Sequence, residues 1–222
     1  MNKKKIITLA IAVILIVATV AGASYAYLTD TKTADNTFTM GNVRITLDET
    51  DVKNPDGDRV TSNEYGIGDV YPGAVMTKDP VVHNVGKNPA YIRAAVVIEN
   101  GMNWLGLYNE NVWTAPQEDA FNALINNSLG EGWELVGIAY VLNPERGSTD
   151  FKATLKYTGT LAAGADTTPM FSEIKIADKI TENDVTTRVT QDGEFHIDVT
   201  ADAIQANGFA AWEDAFAAFD AQ

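Results

Sequence analysis

Cysteine is absent from this sequence, and histidine occurs only twice, at His83 and His196. The first absence removes disulfides, thiolate-held zinc, iron–sulfur clusters and thiol nucleophiles, so stability has to come from packing and backbone pairing. The second leaves no His-Glu-x-x-His pair to hold zinc, and no base recognisable as the partner of a nucleophilic serine. The Gly-x-Ser-x-Gly elbow is missing as well. Gly66-Ile67-Gly68-Asp69 has no third glycine at the step a phosphate loop needs. Basic residues are scarce too: 16 Lys and Arg stand against 30 Asp and Glu, a formal charge of -14. Nucleic acid binding depends on neutralising phosphates with Lys and Arg, so a chain of this charge is not expected to take a nucleic acid partner. The carboxylates make chance Asp/Glu pairs certain, and these read as solvated surface before they read as a hydrolase dyad. No cofactor or metal site is expected.

What is present is apolar content enough for a core, with 45% hydrophobic residues in 222. The chain opens with Lys3, Lys4 and Lys5, followed by an apolar run from Ile6 to Ala23 broken only by Thr8 and Thr19, and then small residues up to Ala26. This is the layout of a signal peptide over residues 1–26. Ser24 and Ala26 are the small residues a signal peptidase requires, and Tyr27 is the first mature residue. The alternative is an uncleaved membrane anchor, because about 18 apolar residues are long enough to span a bilayer. Cleavage takes 26 of the 222 residues and three lysines, leaving 196 residues and moving the charge from -14 to -17.

The mature chain reads mainly as strands. Residues 27–40 are threonine-rich and polar in their first half, an extended segment with little to bury. Val43–Asp48 alternates apolar and polar residues with period two. Asn54-Pro55-Asp56-Gly57-Asp58 and Tyr71-Pro72-Gly73 carry turn chemistry, and the first lacks the carboxylate spacing of a calcium loop. Val81–Val85 and Tyr91–Ile98 form either a hairpin or a pair that crosses between sheets, and further strands are expected at Leu135–Val141, Phe151–Tyr157, Phe171–Ala177 and Phe195–Ala203. Two segments have helical period instead. Thr114 with Gln117 forms a capping box ahead of Phe121, Leu124, Ile125 and Leu129, predicting a helical insertion over about 114–129. Phe209, Trp212, Phe216 and Phe219 predict a short C-terminal helix whose aromatic stripe packs against the core. The fold class read from this pattern is all-β, a β-sandwich spanning 41–222 with a short helical insertion and a short C-terminal helix.

Three stretches together resemble a known group. They are the leader ending Gly22 to Asp30 with Asn36-Thr37-Phe38-Thr39-Met40-Gly41-Asn42-Val43, the region Val70-Tyr71-Pro72-Gly73 leading to Lys78-Asp79-Pro80 and on to Arg93, and the ending Ala203 to Phe209. They resemble the TasA/camelysin (CalY) group of exported proteins processed by the SipW-type signal peptidase, most closely the clostridial BsaA-type biofilm matrix proteins of Gram-positive bacteria. The resemblance implies a jelly-roll sandwich, secreted to the extracellular matrix or cell surface, which polymerises with itself into matrix fibres. The SipW-type peptidase and other matrix components would be its further partners, and the membrane would be touched only through the uncleaved leader. It also implies that the freed N-terminal segment, residues 27–40, enters the sheet of the next subunit as a donated strand. Tyr27, Leu28, Thr29, Thr31, Thr33, Phe38 and Met40 are then the interface residues, and leader removal would license assembly. Camelysin-like relatives have been described as metallopeptidases, which keeps an exported peptidase open as an alternative beside a surface adhesin. The residues themselves show no catalytic motif, and the expectation is that the protein is not an enzyme.

Overall fold

The computed structural model of the chain describes residues 29–32, 43–63, 71–111, 115–145, 147–181 and 196–221, the first of these as backbone. The period-two rule is plainest in β5 (Ala90–Ile98), where Ala90, Ile92, Ala94, Val96 and Ile98 are all buried and the residues between them face the other way. It lies at the centre of a five-stranded antiparallel sheet in the order β1 (Thr29–Lys32), β9 (Ile197–Gln205), β5, β7 (Ser148–Tyr157), β6 (Trp133–Asn143). Two short antiparallel ribbons form the opposing layer, β2 (Ile45–Asp48) with β4 (Val81–Asn84) and β3 (Val75–Thr77) with β8 (Glu173–Lys175). Ile45, Leu47, Met76, Val82 and Ile174 of these ribbons belong to the same buried cluster as Ile92, Val96, Phe151, Leu155 and Ala201 of the large sheet. This is the expected all-β sandwich. With no disulfide to help, each fully buried Ile, Leu or Phe on these inner faces contributes ~1.5–3 kcal/mol.

The two runs that read as a hairpin or a crossing pair are a crossing pair: β4 belongs to the small ribbon and β5 to the large sheet. The buried Asn84 side chain organises the passage. Its amide donates to the carbonyls of Asn88 and Leu161, and its oxygen accepts from the backbone of Gly86. Strands β6, β7 and β9 form where the pattern placed them, and β8 is shorter than Phe171–Ala177. Asn54 to Gly57 closes as a plain turn, with the Gly57 amide 2.9 Å from the Asn54 carbonyl. At Tyr71-Pro72-Gly73 the Ala74 amide reaches back to Tyr71, and Gly73 supplies the φ of 79° that the turn needs.

The helical insertion differs from the expectation. Helix α2 (Gln117–Leu124) starts with Pro116 at its N-cap and no side-chain cap, so the Thr114–Gln117 capping box does not initiate it. Pro116 explains why: it disfavours helical backbone at Ala115, so the helix cannot begin upstream of the proline. Thr114 itself lies outside the described residues. Phe121, Leu124 and Ile125 are buried as expected, and Asn126 and Asn127 at φ 51° and 55° end the helix before Leu129. A second short helix, α1 (Gly101–Leu105), was not legible in the pattern; it buries Trp104 and Leu105 completely. Helix α3 (Trp212–Asp220) packs Ala215 and Phe216 on Ile204, with Tyr91, Phe209, Trp212 and Phe219 around them. Its aromatic stripe is a packing surface. Among the described residues, no helix is long and apolar enough to cross a membrane.

Candidate functional site: the outer edge of strand β9

Strand β9 pairs with β5 along its full nine residues, from Ile197 opposite Ile98 to Gln205 opposite Ala90. Its other side is therefore the end of the sheet unless something is added. What is added is β1, antiparallel, with Thr29 opposite Ile204, Asp30 opposite Ala203, Thr31 opposite Asp202 and Lys32 opposite Ala201. Four residues of strand make only a few ladder hydrogen bonds, each worth ~0.5–1.5 kcal/mol net, while ordering a residue costs ~1–2 kcal/mol. The attachment of β1 is thus held by a small margin.

Beyond β1, no described strand lies beside Ile197–Thr200 of the same edge. There the edge opens into a cleft of about 390 Å³, walled by Ile197–Thr200 on one side and Leu47–Glu49 on the other, with Thr61, Ser62, Asn63, Lys78, Pro80 and Val97 completing it. Glu49 continues the inward series Val43, Ile45, Leu47 and is only 3% exposed. Its Oε2 accepts from Lys78 Nζ at 2.7 Å, while Oε1 finds no partner among the described residues. A buried acceptor left unpaired costs ~1–3 kcal/mol, so the cleft favours whatever brings an N–H donor into it. A strand backbone extending along the β9 edge is such a donor.

A charged node stands beside this cleft. Arg59 pairs with Asp48 at the end of β2 and with Asp79 at 3.1 Å, and Asp79 also accepts from the amide and hydroxyl of Thr50, each at 2.7 Å. Burial works to raise the Asp79 pKa, but the bonds from Thr50 and then Arg59 outweigh it and hold the carboxyl below its ordinary value. His83 on β4 lies between Asp48, 3.0 Å from Nε2, and Asp166, 2.7 Å from Nδ1. Burial would lower its pKa; hydrogen bonding and charge from Asp48 and then Asp166 overcome that and raise it above the ordinary value. The histidine is an electrostatic tie between β2, β4 and the 166 segment. On the outer face, Arg93 bonds Asp202 at 2.9 Å and Asp220 at 2.8 Å and lies 4.5 Å over the Phe216 ring, clamping α3 to the sheet. Asp202, the residue opposite Thr31, thus has its charge paired with Arg93 on the neighbouring strand.

The family model of the camelysin metallo-endopeptidases matches residues 1–90. This match over the N-terminal part of the chain supports a likeness to the TasA/camelysin group. The matched stretch runs from residue 1 through β1, β2, β3 and β4 and stops at the first residue of β5. Strand β9 therefore lies beyond the matched part. No curated protein and no solved structure matches the chain.

Of the residues singled out from sequence, Ser24, Ala26 and Tyr27 at the cleavage point and Leu28, Thr33, Phe38 and Met40 of the N-terminal segment lie outside the described residues. Thr29 and Thr31 fall in β1. Among the described residues, no group of three His, Asp or Glu side chains is arranged to hold a metal ion. The Glu49–Lys78 pair was missed because Glu49 sits in the acidic run Asp48-Glu49-Thr50-Asp51, which reads as solvent-facing. The signal that would have found it is the odd-numbered series of inward residues from Val43, of which Glu49 is the next member.

Proposed function

We propose that the protein is a secreted structural subunit that polymerises into extracellular biofilm-matrix fibres, the N-terminal segment of one copy pairing with the outer edge of β9 in the next. The observation that carries this reading is the pairing of Thr29–Lys32 with Ala201–Ile204 at a sheet edge that continues, uncovered by any described strand, into the cleft beside Glu49. A strand held only at an edge can be supplied by its own chain or by a neighbour with the same contacts, which is the low-cost route from monomer to polymer. Backbone hydrogen bonds supply the affinity, and Leu28, Phe38 and Met40 are the side chains proposed to fill pockets. A SipW-type signal peptidase acting after Ala26 would free the segment, and while Ile6–Ala23 remains attached to the membrane the segment is tethered away from neighbours. On this reading the protein is not an enzyme and takes no cofactor.

Electron microscopy of the mature chain beside an Asp30→Pro/Thr31→Pro variant tests it. Adjacent residues of an edge strand point their amides alternately toward and away from the sheet, so the double change removes a ladder bond in either phase. Loss of fibres with an unchanged circular dichroism spectrum supports donation; normal fibres from the variant sink it. The family description favours a second reading, an exported metallopeptidase. Casein digestion abolished by a chelator would establish that activity, and no digestion by the purified chain would remove it.

A further inference from the structure

Asparagine followed by glycine occurs twice in the sequence, at Asn100-Gly101 and Asn207-Gly208. In such a pair the backbone nitrogen of the glycine can attack the asparagine side-chain carbonyl carbon, because glycine has no Cβ to hold the two apart. The attack needs an accessible amide, a carboxamide free to turn and a backbone that can move. At the first pair the fold denies all three. Asn100 is the N-cap of α1 at φ 51°, its amide donates to Asp150 at 2.9 Å, and its carbonyl accepts from the amides of Asn103 and Trp104. Its side-chain oxygen accepts from the Asn103 carboxamide at 3.0 Å, and Gly101 is buried against Phe151.

The second pair is held quite differently. Asn207 and Gly208 are exposed and form the centre of the turn between β9 and α3, closed by the Phe209 amide on the Ala206 carbonyl at 3.2 Å. Gly208, at φ 104°, supplies the positive φ that the third position of such a turn takes. Space beside its Cα is open to 4 Å, and no described group is bonded to the Asn207 carboxamide or to the Gly208 amide. We infer that Asn207 is a site of spontaneous deamidation. The Gly208 nitrogen bonds to Asn207 Cγ, the side-chain nitrogen leaves as ammonia, and the Gly208 amide proton passes through solvent to that ammonia. Water then opens the succinimide at either carbonyl, to aspartate or to isoaspartate. Either product adds a negative charge at the turn, and isoaspartate also routes the backbone through the side chain, lengthening it by a carbon between β9 and α3. The turn follows Ile204, which α3 covers and which lies opposite Thr29, so the change falls close to the β1–β9 pairing. The site stands independently of strand donation.

Peptide mapping by mass spectrometry of the full mature chain, held at alkaline pH with and without urea, tests the site. In the folded chain, conversion of Asn207 to acid should run several-fold faster than conversion of Asn100, and in urea the two rates should converge. Equal or reversed rates in the folded chain, or no conversion at Asn207 where the unfolded chain shows it, overturn the inference. The same difference in urea also overturns it, since neighbouring residues alone would then account for the preference. An Asn207→Gln variant, changed at an exposed position, should keep the parent's thermal midpoint and lose the main acidic species that accumulates on ion-exchange chromatography. Undiminished accumulation of that species in the variant would place the reaction elsewhere and overturn the assignment.

Discussion

Replacing Lys78 with methionine would keep most of the side-chain stem and remove only its charge, leaving Glu49 buried without its cation. The two are 2.7 Å apart, with side chains 12% and 4% exposed, so water can do little to compensate. Breaking a buried pair from one side costs ~3–5 kcal/mol, because the remaining ion keeps its desolvation penalty without its attraction. In a domain of this size that is about 6–20 °C in thermal midpoint, and a large part of the ~5–15 kcal/mol that holds a typical domain folded. Removing both charges, as Lys78→Met/Glu49→Leu, deletes the penalty with the attraction and should restore most of the loss. The assay is urea unfolding at pH 7, followed by tryptophan fluorescence for the parent, both single variants and the double. A Lys78→Met variant within ~1 kcal/mol of the parent, or a double variant as unstable as that single, would refute the claim that this pair is buried and mutually dependent.

The raised His83 pKa gives stability a pH dependence of definite sign. Protonation favours the folded state, so the contribution is complete below the ordinary value of 6.5 and is lost as pH rises through the higher folded value; His83→Gln should flatten the thermal midpoint across that window, and an unchanged pH profile would count against the Asp48–His83–Asp166 tie. Gly101 opens α1 where an added Cβ would meet the Phe151 Cβ at 2.4 Å. Gly101→Ala should therefore destabilise by ~1–3 kcal/mol despite the ~1 kcal/mol that alanine gains in a helix, and a stabilised variant in chemical denaturation would show the packing to be looser. If the chain assembles as proposed, subunits charged -17 once residues 1–26 are removed should assemble faster at high salt or near the sequence pI of 4.4, read by light scattering against ionic strength and pH; no acceleration would mean that charge does not limit assembly.

Much of the sandwich was legible because burial on a sheet alternates every second residue, and Val43–Asp48, Tyr91–Ile98 and Phe151–Tyr157 write that alternation directly into the sequence. The aromatic stripe of α3 was legible for the same reason at helical period. Short elements were not: β3 has three residues and α1 five, too few for a period to show. The start of α2 was misplaced because the Thr114–Gln117 spacing is a local signal, and the backbone restriction from Pro116 overrode it.

Sequence alone determined which faces are apolar, where turns fall, that no thiol chemistry operates and that residues 27–40 are threonine-rich and polar in their first half. Tertiary structure decided which strands are neighbours. Backbone hydrogen bonds carry no residue code, so nothing in Thr29–Lys32 names β9 as its partner, and nothing in β6 shows that it ends the sheet. The Glu49–Lys78 pair, 29 residues apart, likewise exists only because the end of β2 and the connection between β3 and β4 line the same cleft.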